Sequence, residues 1–136
     1  MEYNEQVLEI YNFLKEAKVF YLATIDNNEA RVRPFGAVNL FKDRIYLQTG
    51  MIKNVFKQIL ANPKVELCAF NKGVTLRLRG ELVIDKSIEA QEDLLNNNEE
   101  LKSMYSVNDG NNVVMYFKDA TASFTSFNKK AIIYKI

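Results

Sequence analysis

A chain of 136 residues, 48% hydrophobic and 26% charged, is long enough to bury a core as one domain spanning 1–136. It holds no histidine and a single cysteine, Cys68, which excludes Ser-His-Asp and Cys-His nucleophiles, His-ligated zinc or haem, and an internal disulfide. The formal charge of +1 conceals a middle, residues 30–80, at +8, flanked by −4 over 1–29 and −3 over 81–136; this distribution favours a local anionic ligand over a nucleic-acid backbone.

The start, Met1-Glu2-Tyr3-Asn4-Glu5, is acidic and polar, unlike a signal peptide. Residues 4–17 place Val7, Leu8, Tyr11, Leu14 and Ala17 at helical spacing and predict an amphipathic helix. A strand follows over 19–25. The polar turn at 26–29 predicts that the next run, 30–41, pairs back as a hairpin. Pro34 within that run calls for an edge position, a bulge or a place where the ladder is interrupted. Lys42-Asp43 then turns the chain into a strand over 44–49, completing a three-strand meander.

Gly50 breaks the strand pattern, and 52–61 reads as a helix ended by Asn62-Pro63. Strands are predicted over 65–70 and 74–84, joined by the turn Asn71-Lys72-Gly73, with Leu76, Leu78 and Leu82 on one face and Thr75, Arg77 and Arg79 on the other. Ser87 opens a helix to about Leu95, and 99–105 forms a further short helix. Strands over 113–117, 120–127 and 131–136 close the chain. The fold class expected is α+β, mainly β: a six- to seven-stranded antiparallel barrel with flanking helices. No apolar run approaches the ~20 residues of a membrane span.

Two clusters carry chemistry. Arg31 and Arg33 share one strand face, with Val32 opposite. Pro34 interrupts the ladder after them, and Gly36 admits a close neighbour. A guanidinium fork suits a phosphate. Gln48-Thr49-Gly50 leads into a helix start bearing Lys53 and Asn54, where free amides and the helix dipole favour an anion. Arg77 and Arg79 repeat the alternation beside Thr75; they could line the same pocket, serve one across a dimer, or be exposed. Cys68, between Leu67 and Ala69, reads as an inert core thiol. Tyr116, Phe117, Phe124, Phe127 and Tyr134 read as core or dimer interface.

The segments Arg31-Val32-Arg33-Pro34-Phe35-Gly36 and Ala61-Asn62-Pro63-Lys64-Val65-Glu66, with Ile45–Thr49 and Lys53–Gln58, make the chain resemble the pyridoxamine 5′-phosphate oxidase-like split-barrel flavoproteins. It looks closer to short bacterial members grouped with general-stress and nitroimidazole-resistance proteins than to the oxidase itself. The resemblance implies a split β-barrel and a homodimer with FMN in two interface clefts. It also implies that Arg33 and its strand neighbours, Arg31, Val32, Pro34, Phe35 and Gly36 and on to about Val38, run along the flavin, with Gln48 and Thr49 near the ring or ribityl chain. Lys53 and Asn54 would lie near the phosphate, and Thr75 and Arg77 would reach in from the partner.

The function expected from that resemblance is an FMN-binding oxidoreductase acting on a small molecule, with a nicotinamide as possible electron donor. The true oxidase uses an Arg-x-His-type segment and a tryptophan; this chain has neither His nor Trp, so vitamin B6 phosphate oxidation is not expected. A flavin- or ligand-binding module without turnover is the alternative, and haem binding through Tyr, Met or Cys68 is a weaker one. Neither a nucleic-acid nor a membrane partner is expected, and the single thiol suits the cytoplasm.

Overall fold

A computed structural model describes residues 4–136, so Met1–Tyr3 of the polar start lie outside the described residues. The strands are β1 (Phe20–Asp26), β2 (Glu29–Phe35), β3 (Val38–Phe41), β4 (Arg44–Gly50), β5 (Lys64–Asn71), β6 (Val74–Asp85), β7 (Asn112–Ser126) and β8 (Ile132–Lys135). The α-helices are α1 (Glu5–Ala17), α2 (Asn54–Ala61) and α3 (Ile88–Asn96), with a 3₁₀ turn at Glu99–Ser103. All strand pairs are antiparallel, in the order β2-β1-β5-β6-β7-β4-β3, with β8 on a free stretch of β7.

Strand β2 lies at one end of this order and β3 at the other, although only Gly36 and Ala37 separate them in the chain. The run expected as one strand over 30–41 is therefore two, and the predicted meander does not form. Pro34 offers no N–H to a further strand, which suits an edge. The tight Lys42-Asp43 turn, both residues at positive φ, pairs β3 with β4 instead. The result is a barrel left unclosed between β2 and β3.

The opposite correction applies at the other end of the chain. The two strands expected over 113–117 and 120–127 are one, the 15-residue β7. The gap left between those two strands at Lys118-Asp119 is a bend inside β7, with Asp119 at φ 50°. Across from it the β6–β7 register shifts between Arg79 and Glu81, a bulge that curls the sheet. Gly80 sits at this point, and a Cβ there would lie 2.8 Å from Ala120 Cβ and 2.9 Å from Ala120 Cα.

Alternation sorts the side chains. Leu22, Leu67, Leu76, Leu78, Ala122 and Met115 fill the interior, which burial stabilises by about 25 cal/mol per Å² of apolar surface. Helix α1 starts where the Asn4 side chain accepts from the Gln6 and Val7 amides, and Val7, Ile10 and Leu14 pack into the same core. On the outer face, Tyr21, Cys68, Arg77, Ser123 and Ile133 form one row across five strands. Cys68 is thus half-buried on the outside, not a core thiol, because Leu67 and Ala69 take the inward positions. Of the aromatic group, Phe117 and Phe124 are core, whereas Phe127 is 94% exposed.

Gly80→Ala should destabilise the protein by about 1–3 kcal/mol, the usual range for forcing a methyl group into packed structure. Urea unfolding measures it, and an unchanged midpoint would show that the bulge can relax.

Candidate functional site

The gap between β2 and β3 opens into a cleft of about 350 Å³. Arg33, Pro34, Phe35, Gly36 and Ala37 form one wall, and Gln48 and Thr49 the other. Lys53 and Val55 contribute from the start of α2, and Glu100, Leu101, Met104 and Tyr105 close the cleft. Strand β3 pairs only with Arg44–Leu47. Beyond it, Gln48–Gly50 keep β7 on one side and, among the described residues, lack a strand on the other; the Thr49 carbonyl accepts from Gln48 Nε2 and the Gly50 carbonyl from the Lys53 amide, and backbone groups left over on that edge are available to a ligand. A second cavity of about 490 Å³ adjoins α2, lined by Arg31, Arg33, Asn54, Lys57 and Gln58. Arg33 belongs to both.

The two arginines of β2 differ in state. Arg31 is spent on the hairpin acids, 3.3 Å from Asp26 and 2.8 Å from Glu29. Arg33 is half-buried and donates to Leu22 O at 3.2 Å, Thr24 Oγ1 at 2.7 Å and Gln58 Oε1 at 2.6 Å. These acceptors are neutral, and among the described residues no carboxylate pairs with Arg33. Burial, and after it the charge of Arg31, hold its pKa below the ordinary arginine value. Helix α2 adds to the positive field: no acid occupies its first turn, and its N-cap Lys53 makes no side-chain capping bond.

The closing wall is anchored by a polar network. Asn39, almost fully buried, donates to Asp93 at 2.9 Å and accepts from Asn97 at 3.0 Å. Asn98 donates to the carbonyls of Val38 and Leu94. Together they dock α3 and the 3₁₀ turn on β3. Tyr105 then reaches β4 at Gly50, where a Cβ would lie 2.9 Å from its hydroxyl; a side chain there would displace the wall.

Asp109 organises the loop into β7, accepting from the amides of Ser106, Asn111 and Asn112. Those bonds, that from Asn112 foremost, lower its pKa. Folded-state stabilisation from this group is therefore complete above the unfolded Asp value of about 3.9 and is lost as pH falls through the lower folded value. Hydrogen-exchange protection of the Asn111 and Asn112 amides should drop over that acid range, and Asp109→Asn should already show reduced protection at pH 7.

Of the residues singled out in the sequence, Arg33, Pro34, Phe35, Gly36, Gln48, Thr49 and Lys53 meet in the cleft. Arg31 and Asn54 lie in the adjoining cavity. Val32 points outward and is 67% exposed. Thr75 and Arg77 lie on the outer sheet face, away from this cleft. Gly36 meets no tight protein contact, since a Cβ there would be 3.6 Å from Lys18 O. Sequence reasoning missed Lys57, whose i+4 spacing from Lys53 was a usable signal, and the Glu100–Tyr105 wall, which carries no pattern of its own.

Residues 8–122 match the family described as pyridoxamine 5′-phosphate oxidase. No curated protein sequence matches the chain. Among solved structures, a NimC/NimA family protein from Clostridium acetobutylicum is 38% identical, with a TM-score of 0.93 over 97% of this chain and 93% of its own. A pyridoxamine 5′-phosphate oxidase-related, FMN binding protein from Nostoc punctiforme is 13% identical, TM-score 0.57, covering 97% of this chain and 93% of that one. A heme binding protein from Mycobacterium smegmatis is 12% identical, TM-score 0.69, over 90% of this chain and 57% of that one. The last two show the fold alone. No helix among the described residues is long and apolar enough to cross a membrane.

Proposed function

Because this chain belongs to the pyridoxamine 5′-phosphate oxidase family, we propose that it is an FMN-binding flavoprotein and a flavin-dependent oxidoreductase acting on a small molecule. The observation that carries the reading is Arg33: a half-buried guanidinium held by neutral acceptors alone, where two cavities meet beside a helix start without acids. Such a site favours a dianionic phosphate ester. Lys53, Asn54 and Lys57 add donors and charge around it.

With the ester group there, the wall from Pro34 to Ala37 and the unpaired edge at Gln48 and Thr49 would flank the ribityl chain and ring. FMN would supply the hydride or electron exchange there. The chain's own part is binding, orientation and charge. Arg33, Lys53 and Lys57 suit a phosphate better than they suit a haem face.

The proposal includes a homodimer. The outer sheet face, with Tyr21, Phe70 and Ile133 exposed, is where a second copy would pack. Thr75 and Arg77, which miss their own cleft, would then reach the partner's. A reducing cytoplasm suits the half-buried thiol of Cys68.

The protein purified from cells should be yellow and should bind FMN more tightly than riboflavin, with a preference that shrinks as salt rises. Arg33→Ala and Lys53→Ala should each weaken FMN about 10–100-fold, since bonds to charged groups contribute about 1.5–3 kcal/mol. A colourless protein that takes up no FMN in titration calorimetry defeats the reading. Anaerobic bleaching of the flavin by NADH or NADPH supports the oxidoreductase; flavin bound but reduced by neither favours a holder without turnover.

A further inference from the structure

We infer that Gln48 is a hydrogen-bond acceptor of fixed polarity in the cleft, set by Asn112, and that it takes an O–H or N–H donor from the bound ligand. The ligand part rests on the flavin reading; the pinning of Gln48 does not. Gln48 is 7% exposed. Its Nε2 donates to Thr49 O at 3.2 Å and to Asn112 Oδ1 at 2.9 Å. A backbone carbonyl only accepts, so the end of the amide facing Thr49 is the nitrogen. Both Nε2 hydrogens are then committed to the protein.

That leaves Oε1. It has no partner among the described residues, and it is not one of the fully enclosed atoms, since only Asn112 Nδ2 is both enclosed and unpaired. Gln48 lines the cleft, and its carbonyl oxygen is the polar atom it presents there. A nearly buried side chain fixed in this way discriminates sharply: a donor in the ligand is matched, and an acceptor is repelled.

Asn112 supplies the fixing. It is 9% exposed and sits across the ladder from Gly50, diagonal to Gln48. Its Nδ2 is left without a partner, a cost that asks for a reason. Turning the Asn112 amide over would set donor against donor at Gln48. Turning both amides over would pair Asn112 Nδ2 with Gln48 Oε1 but press that oxygen against Thr49 O. The orphaned N–H is the consequence of holding Gln48 with its oxygen toward the ligand. Asn112 is a positioning residue, because it acts through Gln48.

Flavin offers two donor sources, the ribityl hydroxyls and the ring imide N–H, and the test separates them. First, side-chain amide NMR on the flavin-free protein should show slowly exchanging Gln48 Nε2 hydrogens, assigned by their loss in Gln48→Met. Asn112→Leu should speed their exchange at least severalfold; unchanged exchange overturns the pinning. Second, Gln48→Met should weaken FMN roughly tenfold. Asn112→Leu should do the same, and the double variant should be no worse than either. A merely structural Asn112 would lower Tm and leave FMN affinity unchanged.

Third, wild type should discriminate against either imide-methylated FMN or an FMN lacking one ribityl hydroxyl, and Gln48→Met should lose that discrimination. The analogue concerned identifies the donor, and discrimination that survives in Gln48→Met overturns the acceptor role. This comparison stands even where Asn112→Leu fails to fold. A wild type that binds no flavin defeats the proposed function and the ligand part here, while exchange in the flavin-free protein still decides the pinning.

Discussion

An extended strand presents a row of backbone donors and acceptors on each edge, and in a sheet every row must meet another strand, water or a ligand. The break at Gly36–Ala37 sends β2 and β3 to opposite ends of the sheet and leaves that requirement unmet at one place in the barrel. Much else follows from it. The stretch Gln48–Gly50 outruns its partner, the cleft occupies the gap, and the α3 segment is tied down by Asn39, Asp93 and Asn97 to wall it. A fully closed barrel of these same strands would have a core and no site.

Electrostatics acts within that geometry. The middle of the chain is strongly basic in sequence, yet its charges do not form a single patch. Arg31 is neutralised by neighbouring acids, and Arg77 and Arg79 project from the outer face. Arg33, Lys53 and Lys57 remain at the cleft and its neighbour. Local pairing and strand direction, not net charge, decide which cations face the cleft.

Much of this was legible in the residues. Alternation in β6, the turn residues of the hairpins and the amphipathic spacing of α1 each reflect one local preference, and each led to the right element. Arg33–Gly36, Gln48, Thr49 and Lys53 line one cleft, and they were legible as a group because both segments flank a break in strand pattern. Long-range choices were not. Nothing local in 30–41 says that its halves pair with different partners. The bend at Asp119 looks like a turn because a bulge and a turn use the same backbone conformation. Cys68 was misplaced because an apolar run hides which positions face inward. Glu100–Tyr105 reach the cleft only through contacts that Asn39 and Asn98 make far away in sequence.

The central place of β7 has a consequence for how the polypeptide is made. Strands β1, β2, β5 and β6 can assemble among themselves, but the β3–β4 hairpin joins the sheet through β7 alone. Until residues 112–126 leave the ribosome, that hairpin, with its buried-type Ile45, Tyr46 and Leu47, has no neighbour to pair with. Such long-range closure slows folding, and the nascent chain carries an unpaired apolar edge throughout. The interval before β7 joins is therefore when the β3–β4 edge stands open to wrong pairings.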